Sequence, residues 1–204
     1  MSTPWAVEVD GVRLPTQLSG HPALELCNSL AGWRNAPAGR GDYLRSYDVL
    51  VVLALTSGLI EDGTAATLRR RAAREQEEAD AVLARTRALR ADLYGCLTGA
   101  VTKPAQKRLA SAIGEARARQ RLDLAASPPR WHFGGSPTLA DPLDVFLVAA
   151  GDLLVDDRRP AVGVCPGEDC GWLFLNSSGR RRWCQMAVCG NRSKQAAFAA
   201  RRRA

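Results

Sequence analysis

Residues 165–194 read CPGEDCGWLFLNSSGRRRWCQMAVCGNRSK and contain four of the six cysteines of the chain. Four residues separate Cys165 from Cys170, four separate Cys184 from Cys189, and thirteen lie between the two pairs. Two cysteine pairs that meet across a short hairpin supply the four sulfurs of a tetrahedral structural zinc site. The spacing therefore predicts one zinc ion, with iron as the alternative metal and four unmetallated thiols as the alternative without a metal.

The residues around these cysteines predict a small finger-like fold. Gly171 and Gly190 directly follow the second cysteine of each pair, where the chain must turn around the metal. Between the pairs, WLFLN and RRRW predict two strands around SSG, and the following NRSKQAAFAARRR predicts a helix that Asn191 caps. This order of knuckle, hairpin and helix resembles a treble-clef zinc finger.

The tryptophans near the predicted metal site have two interpretations. Trp172 and Trp183 would stack on bases in a single-strand binder, but an aromatic side chain beside a zinc knuckle more often forms the small core of the finger, and we adopt that interpretation. The two remaining cysteines, Cys27 and Cys96, lie within apolar helical patterns. We expect them to pack in a core rather than to react.

The residues before the finger carry the patterns of a mainly helical domain. WAVEVDGVRL, residues 5–14, alternates apolar and polar side chains around an Asp-Gly pair and predicts a β-hairpin. RLDLAASPPRWHFGG, residues 121–135, predicts a β-ribbon. Apolar spacings of three and four predict helices from Pro22 to about Trp33, over about 44–57, over about 64–97 as one helix or two, from about Lys103 to Gln120, and from the cap Asp141 to about 157.

Together these patterns predict a mainly α (α+β) protein in two parts. Residues 1–157 form a multihelical domain with short β-hairpins, and residues 158–204 form a small treble-clef-like zinc finger with a basic C-terminal helix. The Asp- and Arg-rich segment VDDRRPAVG, residues 155–163, is the expected linker. Apolar residues make up 46% of the chain, which is enough for a buried core.

The basic charge of the chain is concentrated at its C-terminal end. Residues 158–204 contain ten Lys or Arg and two acids, a charge of +8, whereas residues 1–157 contain eighteen and nineteen, a charge of −1. Such asymmetry predicts a polyanionic partner, because the forked guanidinium group of arginine suits phosphate. The predicted nucleic-acid contacts are Arg180, Arg181, Arg182, Arg192, Lys194, Arg201, Arg202 and Arg203. The alternative is that nearby arginines offset the charge of four thiolates around zinc.

The expected location of the protein is the cytoplasm. The N-terminal residues MSTPWAVEVDGVRL lack the basic start and apolar stretch of a secretion signal. The longest apolar run, residues 49–55, is far shorter than the ~20 residues that cross a bilayer, and no apolar amphipathic face accompanies the basic charge, so we expect no membrane partner. In a reducing compartment, clustered cysteines are expected to bind metal rather than to form disulfides.

We find no sequence pattern that predicts catalysis. A four-thiolate site has no open coordination position for a reactive water. His21 precedes a proline at a helix start, His132 has no catalytic partner near it in sequence, and neither a phosphate-binding glycine loop nor a nucleophile elbow is present. The protein is therefore predicted not to be an enzyme. Glu25 and Asn28 are candidates to line a small-molecule pocket, with hydrogen bonds inside the helical domain as the alternative.

The chain resembles a known pair of domains. Its CGNR string at residues 189–192 and RRWC string at residues 181–184 are similar to those of the CGNR-type zinc finger. Upstream, ALELCNSLAGW, residues 23–33, is similar to the opening of the ABATE domain, the usual partner of that finger. The residues that carry this second similarity are Leu24, Glu25, Asn28 and Ser29. The resemblance covers nearly the whole chain and implies a bacterial, stress-induced transcription regulator with a helical, sensor-like domain and a zinc-binding, DNA-binding finger.

These observations lead to one main hypothesis and one alternative. The main hypothesis is a zinc-dependent nucleic-acid-binding regulator whose finger contacts DNA, or RNA in its place, while the helical domain sets the oligomeric state or senses a small-molecule or protein signal. The alternative is a protein-interaction module in which the zinc is purely structural and the basic tail docks an acidic partner. The binding of zinc is common to both.

Overall fold

The computed structural model describes residues 5–34, 41–157 and 161–202. Within these residues the strands are β1 (Ala6–Val9), β2 (Val12–Pro15), β3 (Gln120–Asp123), β4 (Arg130–Phe133), β5 (Val162–Val164) and β6 (Leu173–Leu175). The helices are α1 (Pro22–Asn28), α2 (Tyr47–Thr56), α3 (Asp62–Ala72), α4 (Gln76–Thr98), α5 (Lys103–Ala118), α6 (Asp141–Val155) and α7 (Asn191–Arg201), with a π-helical turn at Met186–Gly190. The predicted mainly α fold with short hairpins and a small finger is confirmed.

Helix α2 forms the centre of the first part of the core. Its sequence YDVLVVLALT is apolar on nearly every face, and residues 50–54 are fully buried. The β1–β2 hairpin covers it with Val12 and Leu14, and α3 adds Leu68. The hydroxyl of Tyr47 donates a hydrogen bond to the carbonyl of Leu139 at 2.9 Å, which ties α2 to the segment before α6.

The second part of the core joins the helical domain to the finger. Helices α1, α4, α5 and α6 pack through apolar stripes that include Leu24, Leu93, Leu109 and Leu147. Leu173, from strand β6 of the finger, is fully buried in the same cluster. The finger is therefore packed against the helical domain through shared apolar contacts.

Several predicted element boundaries need correction. Helix α1 ends at Asn28 instead of continuing to Trp33, because the chain turns back and the indole Nε1 of Trp33 donates to the carbonyl of Cys27 at 3.0 Å. The segment predicted as one helix or two forms two helices, α3 and α4. Asp141 lies in the first turn of α6 instead of capping it, and its carboxylate accepts from the amide of Thr138 and pairs with Arg119.

The predicted hairpin of the finger is also wrong in its pairing. Strand β6 pairs antiparallel with β5, with Val162 opposite Leu175, and not with the RRRW segment. Apolar Val162 and Val164 pack against the second part of the core, which exposed arginines cannot do without losing hydration. The expected linker falls partly outside the described residues, as does the predicted contact residue Arg203.

The length and apolar character of the seven helices in the described residues bear on whether any of them could span a membrane. None of them has both the length and the apolar character that a membrane-spanning helix requires.

Candidate metal centre and basic surface

The four cysteines of the finger lie together. One sulfur from each of Cys165, Cys170, Cys184 and Cys189 lies within 4.8 Å of all the others. The Sγ atom of Cys184 is 3.6 Å from that of Cys170 and 3.6 Å from that of Cys189. A tetrahedron with zinc–sulfur bonds of about 2.3 Å has sulfur–sulfur edges of about 3.8 Å, so the four sulfurs fit a single zinc ion. The predicted cofactor is confirmed as one zinc.

The spacing of these sulfurs excludes the other common use of paired cysteines. A disulfide joins sulfurs at about 2.05 Å, well below the observed 3.6 Å. The cluster is thus arranged for coordination, and zinc bound there supplies structural cross-linking of the finger.

The first knuckle is built on the end of strand β5. The amide of Cys165 donates to the carbonyl of Trp172 at 2.8 Å, which folds the chain back on itself. The amide of Cys170 donates to the carbonyl of Gly167 at 3.0 Å and closes the turn between the two ligands. Gly171 has φ +73°, so the predicted sharp turn after this pair is confirmed.

The second knuckle is built on a π-helical turn that leads into α7. The amide of Cys189 donates to the carbonyl of Gln185 at 3.0 Å. Gly190 has helical backbone, with φ −63°, so a sharp turn is not the reason for glycine here; a Cβ atom would collide with the Met186 thioether. Asn191 does not cap α7 with its side chain, because its amide donates to the carbonyl of Ala187 at 3.1 Å.

The aromatic residues beside the metal centre form its core. Trp172 is buried, and its indole Nε1 donates to the carbonyl of Leu30 at 2.9 Å. Trp5 from the N-terminal hairpin contacts it edge to face at 5.5 Å. Trp183 is half-buried against the same cluster. The interpretation of both finger tryptophans as core residues is confirmed, and the core includes residues from the helical domain.

Of the other two cysteines, Cys27 is fully buried and Cys96 half-buried in the second part of the core, in agreement with the packing expected of them.

Two aromatic residues of the helical domain also hold the first knuckle. Trp33 stacks on Tyr94 with ring centroids 3.8 Å apart, and the hydroxyl of Tyr94 donates to the carbonyl of Gly171 at 2.8 Å. Burial raises the pKa of Tyr94 to about 12. The amide of Trp33 donates to the carbonyl of Cys170 at 3.0 Å. No local sequence pattern connects Trp33 and Tyr94 with cysteines far along the chain, so their contacts with the metal centre follow from the tertiary structure alone.

Glu25 and Asn28 are both buried and bonded within the protein. The carboxylate of Glu25 accepts from the amide and the hydroxyl of Ser19 at 2.7 and 2.8 Å. Burial raises the pKa of Glu25, against the lowering effect of these hydrogen bonds. Asn28 bonds to the backbone of Leu173 in the finger. These contacts favour the alternative interpretation, in which both residues connect parts of the fold rather than line a ligand pocket.

The predicted phosphate-binding residues that the structure describes divide into two groups, six exposed side chains and the partly buried Arg181. Within residues 5–34, 41–157 and 161–202, Arg180, Arg182 and Arg201 are exposed and form no ion pair. Arg192, Lys194 and Arg202 are exposed as well. The guanidinium of Arg192 lies 5.9 Å from the ring of Trp5, and that of Arg202 lies 5.7 Å from the ring of Phe198. These six side chains form what we call the basic surface.

Arg181 differs from the residues of the basic surface. Its guanidinium donates to the carbonyls of Leu18 at 2.7 Å and Cys184 at 2.5 Å, and it lies over the ring of Phe174 at 4.5 Å. Because its donors are occupied by backbone carbonyls, Arg181 holds the second knuckle against the helical domain. Spacing along RRR cannot distinguish it from its neighbours.

A mainly helical domain joined to a four-cysteine finger defines a zinc-finger protein. Residues 161–202 match a family model described as "CGNR zinc finger", and residues 20–157 match the ABATE model, described as "Putative stress-induced transcription regulator". The second match spans most of the chain, which belongs to the ABATE family. No curated protein matches the chain. The resemblance inferred from the sequence is confirmed in both parts and in their order.

Proposed function

We propose that the chain is a zinc-dependent transcription regulator that binds nucleic acid, DNA in the first place, through the basic surface of its finger. The observation that carries this proposal is the exposure of α7. Not one residue of this helix is buried, although it follows directly after the metal ligand Cys189. A helix of 11 residues is marginal alone in water, so a helix left uncovered but anchored at a metal site is suited to docking on a partner.

The charge of the finger specifies the chemistry of that partner. Residues 161–202 contain seven Lys or Arg and two acids, Glu168 and Asp169, a charge of +5. Four thiolates and one zinc ion contribute about −2, which two arginines offset. The remaining cations have no role in balancing the metal centre. Arginine and lysine on a knuckle and on its following helix suit phosphates on a nucleic-acid backbone.

The metal has an indirect part in this proposed binding. Zinc joins the knuckle that follows β5 to the knuckle that precedes α7, so the position of Lys194 and Arg201 depends on it. A finger with so small an apolar core depends on its metal for folding. We expect no catalytic step, and we place the protein in the cytoplasm, where the thiolates stay reduced.

The test is the salt dependence of binding, measured by fluorescence anisotropy with random-sequence duplex DNA and, in parallel, duplex RNA. Each phosphate contact contributes about −0.9 to the slope of log K against log salt for duplex DNA. The double substitution Arg180→Ala and Arg182→Ala should therefore reduce the magnitude of the slope by up to about 2. Arg181 is left intact because it holds the fold.

The matched control is the double substitution Arg74→Ala and Lys107→Ala. Both residues are exposed in the helical domain, and the same two charges are removed. The control should keep the wild-type slope. Equal slopes in the two double variants, with zinc content unchanged, would show that net charge rather than the basic surface governs binding and would contradict the proposal.

The alternative function is docking of an acidic protein partner. It is favoured by Phe198, which is 56% exposed on α7 between Lys194 and Arg201, a combination of apolar and basic groups that also suits a protein surface. Excess duplex DNA distinguishes the two functions. It displaces a labelled nucleic-acid probe in the first case and leaves a protein complex intact in the second.

A further inference from the structure

The ribbon of β3 and β4 is the least covered sheet of the helical domain. Leu122 lies opposite Trp131 in its register, and these side chains are 46% and 57% exposed. Phe133 is the ribbon residue that packs against the core. A two-stranded ribbon is marginally stable on its own, and an exposed cross-strand pair of large apolar side chains marks an interaction surface.

The other two hairpins of the described residues bury more of their side chains than this ribbon does. Strands β1 and β2 bury Val12 and Leu14 in the core. The free edge of β6 is bonded by the side chain of Asn28 and by the carbonyl of Ser19, which accepts from Leu175 at 2.8 Å. Within the described residues, β3 has β4 as its single strand neighbour and an unpaired outer edge. Proteins protect such edges or use them for pairing with another chain.

The charges on β3 are complementary to themselves. Arg121 and Asp123 flank Leu122 and lie together on the opposite face of the strand, because side chains alternate. Neither residue forms an ion pair within the described part of the chain. One carboxylate oxygen of Asp123 accepts from the amides of Ala125 and Ala126 at 2.9 and 3.2 Å, which leaves its other oxygen for a second copy. In an antiparallel pair of identical strands centred on Leu122, Arg121 of each copy lies opposite Asp123 of the other.

We infer that β3 is a self-association edge, which pairs antiparallel with β3 of a second copy about a two-fold axis at Leu122. One face of the resulting four-stranded sheet carries an apolar row in which two leucines lie between two tryptophans. On the other face, each cross-strand row runs from Arg130 to Asp123 in one copy and then to Arg121 of the second copy, so the charges alternate in sign. Opposite charges and apolar side chains in cross-strand positions stabilise such pairs.

The other edge of the ribbon does not fit a second copy. A cavity of about 570 Å³ lies between the ribbon, α6 and the loop before α3, and residues of both strands line it, Gln120 and Asp123 from β3 and 130–133 from β4. Arg130 already pairs with Glu61 at 3.6 Å. Self-pairing of β4 about Trp131 would place Arg130 opposite His132, without a complementary acid. The charge pattern therefore selects β3.

The test is the association state of the full, zinc-loaded chain, measured by sedimentation velocity over a concentration series up to about 100 µM, because a small interface is expected to bind in the micromolar range. Wild type should approach twice the mass of one chain. Arg121→Glu and Asp123→Arg each replace attraction by repulsion at two symmetric positions, so each should raise the dissociation constant about tenfold or more.

Mixing the two single variants separates broken pairing from broken folding. In a mixed dimer, the introduced Glu at 121 faces the introduced Arg at 123, and the two wild-type partners face each other. The mixture should therefore dimerise about as strongly as wild type, and more strongly than either variant alone. Lys107→Glu, which makes the same charge change as Arg121→Glu at an exposed position of α5, should dimerise as wild type does.

Three outcomes would overturn the inference. The first is a wild type that stays monomeric up to about 100 µM, and the second is single variants that associate as strongly as wild type. The third is a mixture that shows no recovery. Because the measurement includes no nucleic acid, its result is independent of the function proposed for the basic surface.

Discussion

The side chain of Asn28 is bonded to the backbone of Leu173 as a neighbouring β-strand would be. Its amide donates to the Leu173 carbonyl at 2.9 Å, and its oxygen accepts from the Leu173 amide at 2.8 Å. Both residues are buried, and 145 positions separate them along the chain. This pair joins the end of α1 in the helical domain to the first residue of strand β6 in the finger, so the stability of each part depends on the other.

The first prediction concerns this connection. Asn28→Ala leaves a buried amide and a buried carbonyl of Leu173 without partners, at a cost of about 1 to 3 kcal/mol for each unpaired group. We expect the free energy of unfolding in urea to fall by about 3 kcal/mol. Hydrogen exchange at the Leu173 amide should also accelerate.

Asn191→Ala is the control for this substitution. Asn191 also donates one side-chain hydrogen bond to a carbonyl, but it is exposed at the start of α7. Its loss should change the free energy of unfolding by less than about 0.5 kcal/mol. Similar losses in the two variants would contradict the assigned role of Asn28.

The second prediction compares two glycines with left-handed backbone. Gly171 has φ +73°, and a Cβ atom there would lie 2.8 Å from Cβ of Trp33 and 2.9 Å from the hydroxyl of Tyr94. Gly179 has φ +68° with open space around it. Gly171→Ala should cost about 2 to 4 kcal/mol, from backbone strain and overpacking, and Gly179→Ala about 1 to 2 kcal/mol, from strain alone. Urea unfolding measures both, and equal costs would show that Trp33 and Tyr94 yield freely.

The third prediction concerns the metal. Wild type should contain one zinc ion per chain, and Cys165→Ser should lose most of it, because a hydroxyl is a poor replacement for a thiolate ligand. Chelation of wild type should likewise remove amide protection from residues 162–190 while most of the helical circular dichroism remains. Zinc content is measured by a colorimetric assay after denaturation.

Cys96→Ser is the control for metal binding. Cys96 lies on α4, outside the cluster of four sulfurs. This variant should keep a full zinc content. A finger that stays protected from exchange after complete zinc removal would contradict a structural role of the metal.

The fourth prediction separates two adjacent arginines. Arg181→Ala removes donors from the carbonyls of Leu18 and Cys184 and should lower the free energy of unfolding by about 2 kcal/mol. Arg182→Ala, at an exposed position, should change it by less than about 0.5 kcal/mol. The order should reverse for the salt slope of DNA binding, where Arg182 is expected to contribute and Arg181 is not.

The fifth prediction concerns pH. Burial raises the pKa of Glu25 in the folded state above its value in the unfolded chain. At pH values between the two, Glu25 is ionised in the unfolded chain and protonated in the folded one, and this ionisation favours unfolding. The contribution of Glu25 to the free energy of unfolding is thus complete below its unfolded pKa and is lost as pH rises through its folded pKa. Glu25→Gln does not titrate, so its stability relative to wild type should improve from pH 4 to pH 8, by about 1.4 kcal/mol for each pH unit between the two pKa values.

Urea unfolding at several pH values measures this difference. The zinc ligands titrate equally in the two proteins, so their effect cancels in the comparison. A relative stability that is constant with pH would show that the hydrogen bonds from Ser19 keep the Glu25 carboxylate ionised in the folded state.

Local patterns predicted much of the fold and of the metal centre. The helices followed from apolar spacing, and the β3–β4 ribbon followed from two short runs around Ser-Pro-Pro, because both depend on residues close in sequence. The pairing of β6 was predicted wrongly for the same reason. Proximity favoured the RRRW segment, whereas burial of Val162 and Val164 favoured β5.

The sequence by itself determined the four ligands of the zinc site, since cysteine spacing is a local property and thiolate chemistry leaves few alternatives. It also determined where the basic charge lies. Only the tertiary structure decided which polar groups meet across the chain. Asn28 bonds to Leu173, Tyr94 to Gly171 and Arg181 to Leu18. Buried polar groups must find partners wherever packing brings them, and packing depends on the whole fold.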